Sequence, residues 1–208
     1  GWSPDGTSLL EQLPRGDSGV KDLQVMAVDG TLTALSTALP GSSQCGDWRN
    51  DGSALLFPYT DEGGVTSLSE LMLASGELRQ VYQDGNGISR PQLLPDGSKV
   101  VFITHDGAGS DVVLLDLSAG SVDKLTDTIE AEDTPKFSPD GQSVVFARQV
   151  EGQWALFTVN LATREETRLT LTSGSEWQPD RSTDGQYLLF TSDEGGASNI
   201  YAYKAGMT

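Results

Sequence analysis

Five short apolar runs punctuate the chain: Leu9-Leu10, Ala54-Leu55-Leu56-Phe57, Val100-Val101-Phe102-Ile103, Val144-Val145-Phe146-Ala147 and Tyr187-Leu188-Leu189-Phe190. Runs this short, rich in β-branched and aromatic residues and bounded by turn formers, predict strands buried on both faces. Each run follows an Asp-Gly pair, and the glycines Gly6, Gly52, Gly97, Gly141 and Gly185 lie 46, 45, 44 and 44 residues apart. A second strand is predicted at Leu23 to Val28, Leu71 to Leu73, Val112 to Leu117, Ala155 to Leu161 and Asn199 to Tyr203. Gly30, Gly76, Gly120 and Arg164 then mark a turn 24, 24, 23 and 23 residues after their own repeat glycines. The strand beyond it carries Leu35, Val81, Leu125 and Leu169, and a strand holding Pro91, Pro135 or Pro179 precedes the next Asp-Gly. Thr66 to Tyr82 would also suit a helical face through Leu68, Leu71, Met72 and Leu78. Gly76 holds the repeated turn position, however, so register assigns strands there too.

Four strands per repeat of about 40 to 50 residues predict an all-β protein, a β-propeller of four-stranded blades. Residues 1–208 are read as one propeller domain with blade repeats beginning near residues 1, 46, 91, 135 and 179. Neighbouring blades cover each other, which accounts for middle strands that do not alternate. In the turn, proline pre-sets its φ, aspartate bonds its own backbone and glycine takes positive φ. The terminal blades are expected to be incomplete, because the first repeat enters at Trp2, at the end of its innermost strand, and the fifth stops at Tyr203 to Thr208 after its third. The expectation is a parent ring of six or more blades, or self-association in which a second copy supplies strands to the open blade edges.

The repeat resembles the TolB-like, or WD40-like (PD40), propeller family, whose pattern runs Pro-x-Trp-Ser-Pro-Asp-Gly, apolar strand, Ser-x-x-x-Gly-x-x-x-Ile-Tyr, turn, Leu-Thr. The fourth and fifth repeats carry it best, in Pro135-Lys136-Phe137-Ser138-Pro139-Asp140-Gly141, in Thr191 to Gly196 and in Asn199-Ile200-Tyr201. Asn50 and Thr183 replace the turn proline, Arg49 follows Trp48 where the family has Ser, Arg181 breaks the aromatic column, and the second repeat lacks Ile-Tyr. The resemblance implies a periplasmic or otherwise extracytoplasmic protein-binding propeller, a propeller fused to a serine peptidase, or a sensor domain.

Composition narrows the chemistry. Thirteen basic against thirty acidic residues give a net charge of −17, which repels phosphate backbones, so nucleic acid is not an expected partner. No run of apolar residues is long enough to insert directly in a membrane. One cysteine, Cys45, and one histidine, His105, leave little for a thiolate zinc cluster, a His-rich metal centre or a Ser-His-Asp triad. Gly41-Ser42-Ser43 and Ser173-Gly174-Ser175 read as loop serines, no Gly-x-Ser-x-Gly elbow is present, and the Asp-Gly aspartates stand one per blade rather than in a calcium loop. No catalytic residue, metal ligand or cofactor is assigned, and the chain is not read as an enzyme.

Binding is the remaining candidate. In a four-stranded meander the second-to-third strand turns and the blade connections emerge at the end opposite the Asp-Gly turns. Asp61, Glu62, Asp106, Glu130, Glu132, Asp133, Asp193 and Glu194 fall there, with few basic residues, mainly Arg15, Lys21, Arg90 and Arg148. These acids are the expected docking face for another protein or a basic peptide segment. The alternative is the substrate-gating propeller of a serine peptidase or hydrolase whose catalytic domain lies outside this chain.

Overall fold

The computed structural model describes all residues except 37, 108, 183 and 205–208. Thr183, the fifth-repeat departure from the turn proline, and the tail beyond 204 lie outside the described residues. Described residues form strands, turns and bends with no helix, so none is long and apolar enough to cross a membrane as a helix. The chain divides into two compact halves, Gly1–Ser98 and Lys99–Thr208.

In the first half, β1 (Ser8–Pro14), β2 (Lys21–Ala27) and β3 (Leu32–Ala34) form one antiparallel meander, preceded by a lone bridge from Trp2 to Leu9. The next comprises β4 (Ser42–Ser43) and β5 (Asp47–Trp48), both paired with β6 (Ala54–Thr60), then β7 (Thr66–Met72) and β8 (Leu78–Tyr82). Strand β9 (Gly87–Leu93) completes this half, and Asp47 accepts the Leu93 amide at 2.9 Å. Strands β7 and β8 confirm the register argument against a helix. Leu10, Leu23, Trp48, Leu55, Phe57, Tyr59 and Leu71 form the core.

In the second half, β10 (Lys99–His105), β11 (Asp111–Asp116) and β12 (Val122–Lys124) form a meander. Next come β13 (Glu132–Phe137), β14 (Ser143–Val150), β15 (Gln153–Asn160) and β16 (Glu166–Arg168), then β17 (Glu176–Arg181), β18 (Tyr187–Ser192) and β19 (Asn199–Lys204). Val145, Ala147 and Leu156 pack on Leu188 and Phe190. The middle strands β6, β10 and β14 are buried on both faces along their apolar runs. Strand β18 departs from that expectation: Leu188 and Phe190 are buried, whereas Tyr187 and Leu189 are exposed. The cause is one-sided packing, because the cluster with β14 and β15 engages only alternate residues.

All five repeat glycines take the predicted left-handed backbone, with φ of 68° at Gly6, 71° at Gly52, 72° at Gly97, 68° at Gly141 and 71° at Gly185. Two details were not foreseen. Arg90, Thr134 and Gln178, each just before its column proline, also have positive φ, and the pairing register shifts around Thr134 and Gln178. These are bulges that bend the strand where proline offers no amide to the ladder. Ser42 and Ser43, expected in a loop, form β4, and Ser43 is fully buried.

Candidate functional site

The Asp-Gly turns bind themselves. Asp5, Asp51, Asp96, Asp140 and Asp184 accept the amides of Thr7, Ser53, Ser98, Gln142 and Gln186 at 3.0, 2.9, 2.8, 3.1 and 2.9 Å. Serine hydroxyls add further bonds and hold Asp5, Asp51, Asp140 and Asp184 below the usual carboxylate range. An open hollow of about 410 Å³ lies in the first half beside Pro4, Asp5, Trp48, Asn50 and Asp51. Its carboxylates are already spent on their own turns.

At the other end of the strands, Asp61 and Glu62 lie in the exposed β6–β7 turn of the first half, where Asp61 accepts the Val65 amide at 2.9 Å. Arg15, counted among the basic residues of this end, is neutralised by Asp22.

The second half holds the remaining candidates. His105 ends β10, exposed, and Asp106 follows it in the turn. Lys124 Nζ lies 4.0 Å from Asp106, 2.8 Å from Asp111 and 2.6 Å from Asp127. Hydrogen bonds to Asp111 first and Asp127 second push the ammonium well above its ordinary pKa. Glu130 is exposed in the connection between β12 and β13, which the β10–β11 turn clasps: a Cβ on Gly109 would meet the Ile129 carbonyl oxygen at 2.9 Å. Asp133 is half-buried and accepts the Thr134 amide. Asp193 and Glu194 are exposed in the β18–β19 turn, fastened to the connection before β17 by the Ser175 amide, 2.7 Å from Asp193 Oδ1.

Glu132 corrects the expected face. It is 2% exposed and lies under the surface, where its carboxylate accepts the Thr126 hydroxyl, the Val112 amide at 3.1 Å and Arg148 Nε at 2.7 Å. Arg148 also meets Glu166 at 2.7 Å and lies 5.2 and 4.8 Å from the ring centroids of Phe146 and Phe157. Burial still pushes the Glu132 carboxyl upward, against the opposing pull of Thr126 and Arg148. Glu132 is therefore a structural ion pair and not a contact residue.

Sequence reasoning missed Glu176, which is fully buried, accepts the Thr170 hydroxyl at 2.8 Å and is likewise pushed upward by burial. The signal was available: Glu132 and Glu176 each stand nine residues before their repeat glycines, Gly141 and Gly185. Among the described residues no three carboxylate, imidazole or thiol groups gather as a metal site. Of the candidate serines, Ser43 is buried and the Ser175 hydroxyl accepts the Trp154 amide at 3.2 Å.

No curated protein sequence matches this chain. Among solved structures, a TolB-type protein of Agrobacterium tumefaciens is similar with a TM-score of 0.83 and 20% identity, over 98% of this chain and 75% of that one. TolB of Acinetobacter baumannii follows with a TM-score of 0.82 and 16% identity, over 96% of this chain and 50% of that one. A puromycin-hydrolyzing peptidase of Mycobacterium tuberculosis reaches 0.73 at 13% identity, over 96% of this chain and 37% of that one. At these identities the likeness shows the fold. The chain thus spans three quarters, half and just over a third of these three neighbours. The sequence model of the TolB beta propeller domain matches residues 110–207. Residues 110–207 therefore carry the repeats of the TolB β-propeller family, and the chain has the propeller fold of the TolB structures.

Proposed function

We propose that this chain is a non-catalytic protein-interaction propeller whose second half docks a basic protein or peptide on Glu130, Asp133, Asp193 and Glu194, in an extracytoplasmic setting. One observation carries the reading: Lys124 is committed internally to Asp111 and Asp127, and Arg148 to Glu132 and Glu166, while Arg168 donates to the Thr170 carbonyl. The exposed Glu130, Asp193 and Glu194 then give this end a negative field, which steers opposite charge within a Debye length of about 8 Å at physiological salt. The committed or buried serines speak against a nucleophile.

The test is the association rate of a basic peptide. Reversal of Glu130, Asp133 and Glu194 to Lys should slow it about tenfold at low ionic strength, and the difference should vanish in high salt. An unchanged rate at low salt would sink the reading. A gating propeller of a hydrolase is the second reading, favoured by the likeness to the peptidase over 96% of this chain. A hydrolase domain in the same polypeptide would decide for it.

A further inference from the structure

The fourth and fifth repeats correspond residue for residue with an offset of 44, the spacing of Gly141 and Gly185. In the fourth, Glu132 stands across from Arg148 and Phe146 across from Phe157. The two rings stack with centroids 6.0 Å apart, and the guanidinium lies over both while bonding the buried carboxylate. In the fifth, the same register sets Glu176 across from Ser192 and Phe190 across from Tyr201. The ring pair is kept, at 5.9 Å and 16°. So is the buried carboxylate, with a threonine hydroxyl on its Oε2 as in the preceding sheet. The arginine is gone, together with the bonds that Glu132 accepts from the Val112 amide and the Thr128 hydroxyl; Thr172, the counterpart of Thr128, keeps a buried hydroxyl without a partner. Ser192 holds the arginine's place, and Glu176 Oε1 is buried without a hydrogen-bond partner.

A buried carboxylate oxygen with no partner costs more than it contributes, unless something else completes it. We propose that the fifth sheet is a receptor for a guanidinium, supplied by an arginine side chain of a protein partner, which takes the position that Arg148 occupies in the fourth. The proposal rests on the docking reading above and names the group that the acidic end recognises. Arginine fits where lysine does not, because its planar fork matches a carboxylate while its face stacks on aromatic rings. Trp154, packed against the same cluster as Phe190 and Tyr201, adds a third ring. The exposed Asp193 and Glu194 border the site and, with burial as the larger cause, keep the Glu176 carboxyl raised, while Arg168 and the Thr170 hydroxyl oppose them. Binding a cation requires Glu176 ionised. Below the raised Glu176 value complex formation releases a proton, and affinity rises as pH rises through that value.

The experiment titrates the whole chain, by calorimetry at several pH values, with a capped peptide bearing one arginine among glycines and serines, and with the same peptide bearing lysine or citrulline. The arginine peptide should bind at least tenfold tighter than either, with proton release, and Glu176→Gln should abolish the preference. That variant retains an acceptor for Thr170. Ser192→Arg, which supplies the guanidinium from the chain itself, should abolish the preference as well. Equal binding of arginine and lysine peptides, unaffected by Glu176→Gln, overturns the receptor while leaving salt-dependent docking intact. Binding of neither peptide overturns both.

Discussion

Gly141 occupies a backbone position, φ 68°, that other residues adopt only under strain. Gly141→Val places a β-branched side chain there and should lower stability by about 1 to 3 kcal/mol in chemical denaturation, with no effect on the acidic loop end. A neutral result would contradict the turn. Arg164 shows the exception: it sits at φ 64°, where Gly30, Gly76 and Gly120 sit in the other repeats, and its guanidinium reaches Asp123. A second prediction concerns Arg148, whose removal by Arg148→Ala strands the Glu132 carboxylate and should cost about 3 to 5 kcal/mol. The pH dependence has a definite sign. Glu132 has a raised pKa in the folded protein, so the native state retains a proton that the unfolded chain releases. Stability contributed by this group therefore falls as pH rises from the ordinary glutamate range through the raised value. The loss should be steeper in Arg148→Ala and flattened by adding Glu132→Gln, as thermal denaturation across pH would record.

At the scale of the element, the middle strands and the repeated turns were legible because they rest on local chemistry: apolar runs and Asp-Gly pairs at fixed spacing. The innermost strands were less so. In the second repeat Gly46 stands where Pro91, Pro135 and Pro179 stand in the others. There the strand breaks into β4 and β5, and a Cβ on Gly46 would lie 1.9 Å from the Leu56 carbonyl oxygen. Nothing in the neighbouring residues announces that approach, since it depends on how β6 lies against the break. Glu132 was misplaced for a related reason: a glutamate reads as surface until its partners are known, and Arg148, Thr126 and Val112 come from elsewhere in the chain. Lys124 behaves the same way, cancelling charge at an end whose basic residues the sequence placed mainly at Arg15, Lys21, Arg90 and Arg148.

For the molecule as a whole, the repeat spacing made the architecture readable from sequence, while the depth at which each acid of the candidate face lies was not. Asp193 and Glu194 remain exposed, Glu130 is displayed by a clasped connection, and Glu132 is withdrawn. The threonines that end the outer strands have a wider consequence. Thr126 Oγ accepts the Val112 amide at 2.8 Å and donates to Glu132; Thr170 Oγ accepts the Leu156 amide at 2.9 Å and donates to Glu176. Each hydroxyl ties a strand of one repeat to the first strand of the next. In a nearest-neighbour description of repeat proteins these ties belong to the coupling between modules rather than to any module alone. Thr170→Val, keeping shape but not the hydroxyl, should thus do more than cost about 1 to 3 kcal/mol. Hydrogen exchange should show β17 to β19 opening as a separate, less protected unit while β13 to β16 keep their protection, so that one side-chain oxygen sets how far cooperativity extends along the chain.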